Sequence, residues 1–197
     1  MTALPQSQHV SVENYLAGEL VSQVKHEYLG GYLYAMAGAR NLHNRIASNL
    51  LGALHGRLRG TPCRPYNSDT KIRVQLPAHV RFYYPDVSVI CESNPPEESF
   101  QDRPIVIVEV PSHSTRRIDQ GEKKDAYLTI PTLHAYLLVQ QESPFVRAYR
   151  RTDQGFVEQE SSEMSAVISL EAIGIELPLA EIYEGVEFAP EPEDEVL

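Results

Sequence analysis

The amino-acid sequence predicts a mixed α/β (α+β) domain in which helices flank a central mixed sheet. An amphipathic stripe over residues 42–58 repeats Leu and Ile at spacings of three and four, which is typical of a helix packed on a core. Two near-continuous apolar runs, residues 86–91 and 105–110, are typical of central strands covered on both faces. Three short β-prone segments predict an antiparallel C-terminal meander: residues 135–139, 145–149 and 156–159.

The other elements follow from local signals. A helix is predicted over residues 11–29, with Ser11 as its cap and Gly30-Gly31 as its stop, so that Glu27 lies in its last turn. A second is predicted over residues 116–130, with Ser114 or Thr115 near its start. Strict alternation predicts a strand over residues 71–76, and β-prone composition predicts another over residues 32–37. A short helix is predicted near the C-terminus, within "LPLAEIYEGVEF".

Composition limits the class of protein. The 197 residues are 42% hydrophobic and contain no repeat or interior linker, which predicts one domain over residues 1–185 and an acidic tail over 186–197. A formal net charge of -10 argues against unspecialised nucleic-acid binding. Two cysteines predict neither a disulfide framework nor a zinc site, and fit a reducing compartment. Without a signal-peptide pattern or a membrane-length apolar run, we expect a cytoplasmic protein and no membrane partner.

Two of the buried strands carry a carboxylate. Glu109 lies near the end of one apolar run, and Asp86 opens the other directly after Pro85. A carboxylate in a buried strand destabilises the fold unless it is paired, protonated or bound to a cation. Two neighbouring strands that each project one carboxylate form an oxygen-rich pocket, which suits a hard cation such as Mg²⁺.

Each candidate residue also has a plain structural reading. Asp86 fits a cap or turn after proline, and Glu109 fits an ordinary salt bridge. Surface, turn or capping roles fit the others, which are Glu27, His43, Asp69, Lys123 and Lys124. No single residue decides the function.

Taken together, the segments resemble a known family. The sequence is similar to the Uma-two family of restriction endonucleases, a branch of the PD-(D/E)xK nuclease superfamily, over residues 11–183. The segments that carry the resemblance stand in the family's order: "HEYLGGYLYAMAGARNLHNRIASNLLGAL", "NSDTKIRV", "YPDVSVIC", "IVIVEVPSHST" and "DQGEKKDAYLTIPTLHAYLLV". The resemblance implies a restriction-endonuclease-like fold and a DNA endonuclease that uses Mg²⁺ or Mn²⁺.

The resemblance also implies roles for single residues. Asp86 matches the Asp of the PD element, and Glu109 matches the acid of the next strand; in the superfamily these two hold the metal. The superfamily's lysine two residues after that acid is absent, because Pro111 stands there. Lys123 in "GEKKDAY" fits the lysine moved to the following helix, where its long side chain can reach the site and stabilise developing charge.

Further positions match the family less specifically. Glu27 resembles the superfamily's helix carboxylate and would complete a second metal's shell, and Asp69 matches an acid beside the site. His43 and Tyr127 match recurrent positions without an assigned role. Basic residues flank these segments, and some of them are candidates for a local phosphate-binding face: Arg64, Lys71, Arg73, Arg81, Arg116 and Arg117.

The chain departs from the family at one motif. Where the family usually reads close to "VEVLSPST", this chain reads "VEVPSHST", so that Pro111 and His113 replace a leucine and a proline. Proline removes a backbone donor just after Glu109 and loosens the strand end. Since the carboxylates and the lysine remain, we expect an active site whose rate is at most moderately reduced.

Two other function classes remain open. One is a non-catalytic nuclease-fold module that forms a homodimer through an edge strand of the meander. The other is a metal-dependent hydrolase of a small phosphorylated substrate. Asp86, Glu109 and Lys123 converging in an open cleft wide enough for duplex DNA would favour the endonuclease, and a closed pocket would favour the small substrate.

Overall fold

The computed structural model describes residues 9–112 and 116–188. Their helices are α1 Val12–Glu19, α2 Asn41–Arg57, α3 Arg116–Ile118, α4 Lys124–Tyr127 and α5 Leu179–Ile182. A π-helical turn, Asp119–Lys123, joins α3 to α4 in one continuous helical segment, and a short 3-10 turn covers Glu171–Ile173.

The strands form two larger sheets and a hairpin. They are β1 His26–Leu29, β2 Tyr32–Ala35, β3 Arg64–Asn67, β4 Lys71–Gln75, β5 Val80–Tyr83, β6 Val87–Ile90, β7 Phe100–Gln101, β8 Pro104–Glu109, β9 Ala135–Val139, β10 Val146–Thr152, β11 Gly155–Ser161, β12 Val167–Leu170 and β13 Ile175–Pro178. The orders are β2-β1-β5-β4-β7 in one sheet, β11-β10-β9-β8-β6-β3 in the second, and β12-β13 in the hairpin.

The six-stranded sheet confirms the predicted fold class. β8 pairs with β9 in parallel, while β6 pairs with β8 and β3 antiparallel, so the sheet is mixed. β9, β10 and β11 form the predicted antiparallel meander. β6 and β8 are flanked by other strands on both sides, as the two continuous apolar runs predicted.

Both faces of the six-stranded sheet are covered. On one face α2 packs its buried stripe of Ile46, Leu50 and Leu54 against valines of β6 and β8. On the other face Ile107 of β8 packs with Tyr127 of α4 and with residues of β4 and β5. The central strands are therefore clamped between a long helix and a second sheet, and their ends are held at fixed positions.

The predicted helix over residues 11–29 is wrong beyond its first half. α1 ends at Glu19, and residues 26–35 form the β1–β2 hairpin, in which Leu29 pairs with Tyr32. Gly30 and Gly31 both have positive φ, at 57° and 105°, so they form the two-residue hairpin turn instead of stopping a helix. As a consequence Glu27 lies on a strand and not in the last turn of a helix.

A helical segment is present where the helix over residues 116–130 was predicted, but it is shorter and is not a regular α-helix. It starts at Arg116, contains the π turn, and ends at Tyr127. Its proposed caps Ser114 and Thr115 lie outside the described residues, as does most of the predicted acidic tail. The helix predicted near the C-terminus is α5.

The two cysteines form a disulfide, which corrects the expectation that neither takes part in one. Cys63 and Cys91 are bonded to each other. β3 and β6 run antiparallel with Arg64 opposite Ile90, so residues 63 and 91 are the next opposite pair. Their separation of 28 residues in the chain carries no signal of this pairing.

This disulfide gives a direct test of the β3–β6 register. Alkylation of protein that was unfolded without reductant is expected to label no cysteine, and alkylation after reduction is expected to label both. Intact-mass spectrometry measures the difference. Two labelled thiols before reduction would contradict the pairing.

Candidate active site

Asp86 and Glu109 lie opposite each other at the ends of adjacent strands. Val87 of β6 pairs with Val108 of β8, and the two acids are the next residues outward from that pair. The amide N–H of Val110 donates a hydrogen bond to Asp86 Oδ2 at 2.7 Å, which fixes the carboxylate across the strand ends. The strand register therefore brings together the two acids that the sequence singled out.

Lys123 lies at the centre of a buried group of acids. Its Nζ is 2.8 Å from Glu27 Oε1, 3.4 Å from Glu109 Oε1 and 3.4 Å from Asp119 Oδ1. All four side chains are almost completely buried, with 2–7% of their surface exposed. We call these four residues, Glu27, Glu109, Asp119 and Lys123, the lysine cage.

The cage joins three separate parts of the fold. Glu27 comes from β1 in the five-stranded sheet, Glu109 comes from β8 in the six-stranded sheet, and the π turn supplies Asp119 and Lys123. The hydroxyl of Tyr136 in β9 donates to the backbone carbonyl of Asp119 at 2.9 Å and so ties the turn to the sheet. Wide π turns are rare and occur often at functional sites.

Burial and charge shift the pKa values of the cage in a consistent way. Burial raises the pKa of Glu109 well above its usual value; Lys123 opposes this shift, and the charges of Asp119, Asp86 and Glu27 add to it. Burial also raises the pKa of Glu27, again against Lys123. For Lys123, burial favours the neutral amine, but the three surrounding acids outweigh it and hold its pKa well above the usual value. The acids around Lys123 therefore favour its ammonium form.

Tyr127 and His43 also contact the predicted acids. The Tyr127 hydroxyl donates to Glu109 Oε1 at 3.2 Å, and burial raises the pKa of Tyr127, so that it stays a hydrogen-bond donor. His43, in the first turn of α2, places Nε2 3.1 Å from Asp86 Oδ2. The side chains of His43 and Asp86 are 14% and 16% exposed, so this pair is the more accessible side of the site.

Asp69 lies outside the cage. It follows β3 in a turn, forms an ion pair with Lys25 at 2.5 Å and accepts a hydrogen bond from Asn67. The bond with Lys25 lowers the pKa of Asp69, and the side chain is 68% exposed. The plain reading of this residue as a turn acid fits these contacts.

The basic residues that the sequence analysis offered for phosphate binding are mostly occupied. Arg73 pairs with Asp102, and Arg81 pairs with Glu122. Lys71 is buried with its ammonium over the Tyr84 ring, and Arg64 donates to backbone carbonyls. A depression of about 400 Å³ lies beside the π turn and is lined by Arg116, Arg117, Gln120 and Gly121. Arg116 in this depression also pairs with Glu142 at 2.7 Å.

A model of the Uma2 family, whose description is "Putative restriction endonuclease", matches residues 12–180. The chain belongs to the Uma2 family. Two uncharacterized proteins of Synechocystis sp. (strain ATCC 27184 / PCC 6803 / Kazusa) are similar to it. Protein slr1290 is 34% identical over 180 residues, which cover 91% of this chain and 94% of the relative. Protein sll1609 is 32% identical over 149 residues, which cover 72% and 81%.

A solved structure shares the fold. It is the crystal structure of a putative nuclease belonging to DUF820 from Anabaena variabilis ATCC 29413, with a TM-score of 0.66. The match covers 82% of this chain and 90% of that one at 16% sequence identity. At this identity the likeness establishes a nuclease-like fold and nothing finer. The predicted family and fold are both confirmed.

The Uma2 chain fills the usual lysine position with Pro111. This residue is buried, and its carbonyl accepts a hydrogen bond from Gln141 at 2.9 Å. Two residues after Glu109 the chain therefore has a buried proline and no lysine. Lys123 contacts Glu109 from the helical segment instead. His113, the other departure, lies outside the described residues.

Asp119 is the site residue that the sequence analysis missed. Its spacing of four residues from Lys123 in "DQGEKK" is the available signal. That spacing is common on solvated helix surfaces, so it does not by itself indicate a buried pair.

Residues 9–112 and 116–188 contain neither a cluster of metal-ligating side chains nor a membrane-length apolar helix. No three His, Cys, Asp or Glu side chains of these residues are grouped closely enough to hold a metal ion. No helix in this part of the chain has the length and apolar character needed to cross a bilayer.

Proposed function

We propose that this Uma2 protein is a divalent-metal-dependent endonuclease that hydrolyses DNA phosphodiester bonds. The main support for the proposal is the contact between Lys123 and Glu109. It lies at the strand ends, where Asp86 and Glu109 are opposite each other. Two strand-end carboxylates can hold a metal ion, and a lysine beside them can stabilise the charge that develops on a phosphate during cleavage. Family membership and the nuclease-like fold support the same class of reaction.

The donor chemistry fits Mg²⁺ or Mn²⁺. Asp86 and Glu109 would hold the ion, and Glu27, which is paired with Lys123, would complete the shell of a second ion. Carboxylate oxygens are the ligands that hard cations prefer, and one or two of them with water suffice for Mg²⁺. When bound, such an ion supplies Lewis acidity toward the scissile phosphate and lowers the pKa of a water molecule.

The chain's own residues orient these groups. The Val110 N–H and His43 both contact Asp86 Oδ2, so the carboxylate is held in one orientation. The surrounding acids favour the ammonium form of Lys123, and its charge can stabilise a phosphate oxygen that gains negative charge. With Glu109 and Lys123 buried, Asp86 and His43, which are 16% and 14% exposed, are the side from which a phosphodiester would approach. In this respect the site is nearer to the closed pocket that favours a small phosphorylated substrate than to an open cleft.

Two arginines near Lys123 are candidate phosphate contacts in this acidic protein, although one of them, Arg116, also pairs with Glu142. The depression lined by Arg116, Arg117, Gln120 and Gly121 belongs to the same helical segment as Lys123. Arginine side chains there can contact phosphates on either side of the scissile bond. Because the salt dependence grows with the number of phosphates contacted, binding through so few cations is expected to weaken only modestly with salt.

Incubation of the purified protein with supercoiled plasmid tests the proposal. We expect nicked and linear products with Mg²⁺ or Mn²⁺ and none with EDTA, because the carboxylates alone do not activate water. Gel electrophoresis measures the products, and an incubation without added divalent ion is the control. Plasmid that stays intact with every divalent ion would reject the endonuclease.

One observation favours a second candidate, the non-catalytic module. The Lys123 and Glu109 side chains are only 7% and 5% exposed, which is also the environment of a structural ion pair. β11 ends the six-stranded sheet and is a free edge that a second copy could pair with. A homodimer by light scattering together with no cleavage under any ion would favour this module over the nuclease.

A further inference from the structure

Lys71 is a buried lysine without an acid partner. It is the first residue of β4, it is 6% exposed, and its ammonium lies 5.3 Å from the centre of the Tyr84 ring. Among the described residues, no group accepts a hydrogen bond from this ammonium and no carboxylate forms an ion pair with it. The other buried lysine of this part of the chain, Lys123, has three acids around it. The three N–H donors of Lys71 are therefore left for a ligand or for water.

Burial of this unpaired ammonium is unfavourable for the fold. It lowers the pKa of Lys71, and the charge of Glu19 opposes that shift from a distance. Glu19 itself is bonded to other groups: it accepts a hydrogen bond from the Tyr84 hydroxyl at 2.8 Å and lies 2.8 Å from His26 Nδ1. A buried charge that no neighbour compensates is typical of a residue kept for binding or chemistry.

A second lysine lies against the same ring. The ammonium of Lys25 is 5.7 Å from the centre of the Tyr84 ring, and its side chain is 40% exposed. It pairs with Asp69 at 2.5 Å and donates to the carbonyl of Ser68 at 2.9 Å. We call Lys25, Lys71 and Tyr84 the two-lysine site. Its exposed member, Lys25, forms the entrance, and its buried member, Lys71, holds the uncompensated charge.

The two-lysine site lies beside the candidate active site. Tyr84 and Asp86 belong to the short link between β5, which ends at Tyr83, and β6, which starts at Val87. Their Cα atoms are therefore no more than about 7 Å apart. The N–H of Tyr84 also donates to the carboxylate of Glu27 in the lysine cage. Phosphates of one DNA strand follow each other about every 3.4 Å along the helix axis, so a strand held at Asp86 has a further phosphate near the two-lysine site.

We propose that the two-lysine site binds a phosphate group next to the one that is cleaved. Lys71 would donate to its oxygens, and Lys25 would turn from Asp69 to contact it at the entrance. In DNA this group is the backbone phosphate of a neighbouring nucleotide, and in a small substrate it is a second phosphate. The inference rests on the proposed function for the position of the cleaved phosphate, and it requires no metal ion.

Loss of the Lys71 charge should weaken DNA binding. We expect Lys71→Met to bind a short fluorescent DNA duplex about ten-fold more weakly than the wild type, because one charge-assisted contact to a phosphate is gone. The slope of log Kd against log salt should fall by about 0.9, the value of one phosphate contact. Fluorescence anisotropy over a salt series in EDTA, where no cleavage occurs, measures both quantities.

The matched control is Arg103→Met. Arg103 precedes β8, at the opposite end of that strand from Glu109, and its exposed side chain pairs with Glu92. The variant removes the same formal charge from the protein, so it separates a local contact from the general attraction between charges. We expect its affinity for the duplex and its salt slope to stay at the wild-type values.

Two measurements keep the test independent of misfolding. Lys71→Met keeps a long side chain and removes an unpaired buried charge, so we expect an unfolding temperature at or above that of the wild type. In the wild type, inorganic phosphate should shift the Nζ signal of Lys71 in ¹H–¹⁵N spectra. The signal of Lys124, which pairs with Asp125, should stay in place.

The outcomes separate this inference from the proposed function. Equal duplex affinities of Lys71→Met and Arg103→Met, together with a Lys71 signal that does not respond to phosphate, overturn the two-lysine site. Equal affinities with a Lys71 signal that does respond support the site and assign it to a small phosphorylated molecule. Weaker duplex binding by Lys71→Met alone, in a protein that cleaves no plasmid with any divalent ion, supports the site and rejects the endonuclease.

Discussion

Glu109→Gln is expected to slow DNA cleavage by more than about 100-fold while leaving the fold intact. Loss of a group that merely supports a metal ligand costs about 10–100-fold, and Glu109 is proposed as a ligand itself. Glutamine has the same shape and still accepts the hydrogen bond of Tyr127, so packing is preserved. The charge of Glu109 is costly to bury, and Lys123 keeps Glu27 and Asp119 as partners, so we expect no loss of stability. Single-turnover plasmid cleavage and thermal unfolding measure the two quantities.

The matched control is Glu122→Gln in the same π turn. Glu122 is 48% exposed and pairs with Arg81, so it is an acid of the same segment outside the cage. We expect this variant to cleave at close to the wild-type rate. If Glu109→Gln cleaves as fast as Glu122→Gln, Glu109 does not take part in the reaction.

The alanine variants of the three proposed residues should all lose cleavage but differ in stability. Asp86→Ala removes a half-buried group whose partners, His43 and the Val110 N–H, lie near the accessible side. Lys123→Ala instead leaves three buried acids without their cation, which typically costs about 3–5 kcal/mol. The activity of Lys123→Ala must therefore be measured below its lowered unfolding temperature, where the variant is still folded.

The central strands and α2 could be predicted from sequence because their signals are local. The buried runs of β6 and β8 are apolar at nearly every position, and α2 repeats its apolar residues with helical spacing. Such patterns depend only on which faces of an element are covered. Strand β3, with the sequence Arg-Pro-Tyr-Asn, carries no comparable signal, and β5, with the sequence Val-Arg-Phe-Tyr, has a charged residue among its apolar ones. Their pairing partners stabilise them.

The β1–β2 hairpin shows a limit of local reasoning. Gly30-Gly31 stops a helix or turns a hairpin equally well, and the residues before it include enough apolar side chains for either structure. Pairing decides the outcome: Tyr28 of β1 is opposite Phe82 of β5, and both rings join a buried aromatic cluster with Tyr15. This long-range contact places Glu27 on a strand that reaches the site.

The sequence indicated which acids belong to the site but not which side chains contact one another. Asp86 and Glu109 could be singled out because carboxylates at apolar strands are unusual, and Lys123 only through the family resemblance. The membership of Asp119 depends on a π turn tied down by Tyr136, which no spacing in the sequence encodes. Side-chain convergence across two sheets depends on tertiary packing, so it becomes visible only in the structure.

Leu50→Ala is expected to lower the free energy of unfolding by about 2–5 kcal/mol. Leu50 is completely buried in the middle of α2, and it packs in the cluster that includes Val87 and Val108 of the central strands. Truncation leaves a cavity that a rigid interface between a helix and a sheet fills only in part. Urea unfolding followed by circular dichroism measures the loss.

The control lies on the same helix. Leu42, in the first turn of α2, is 37% exposed, so Leu42→Ala removes the same atoms from a partly solvated position, and we expect a loss below about 1 kcal/mol. Equal losses for the two variants would contradict the packing of α2 on the sheet.

The same variant tests whether the packing of α2 and the site are energetically separate. Leu50 lies two helical turns from His43, and the residues proposed to bind the cation lie at the strand ends and in the cage. Effects of sites without shared partners usually add, so Mg²⁺ should stabilise Leu50→Ala and the wild type by the same amount. A smaller gain in Leu50→Ala would mean that α2, through His43 and Asp86, also sets the geometry in which the cation binds.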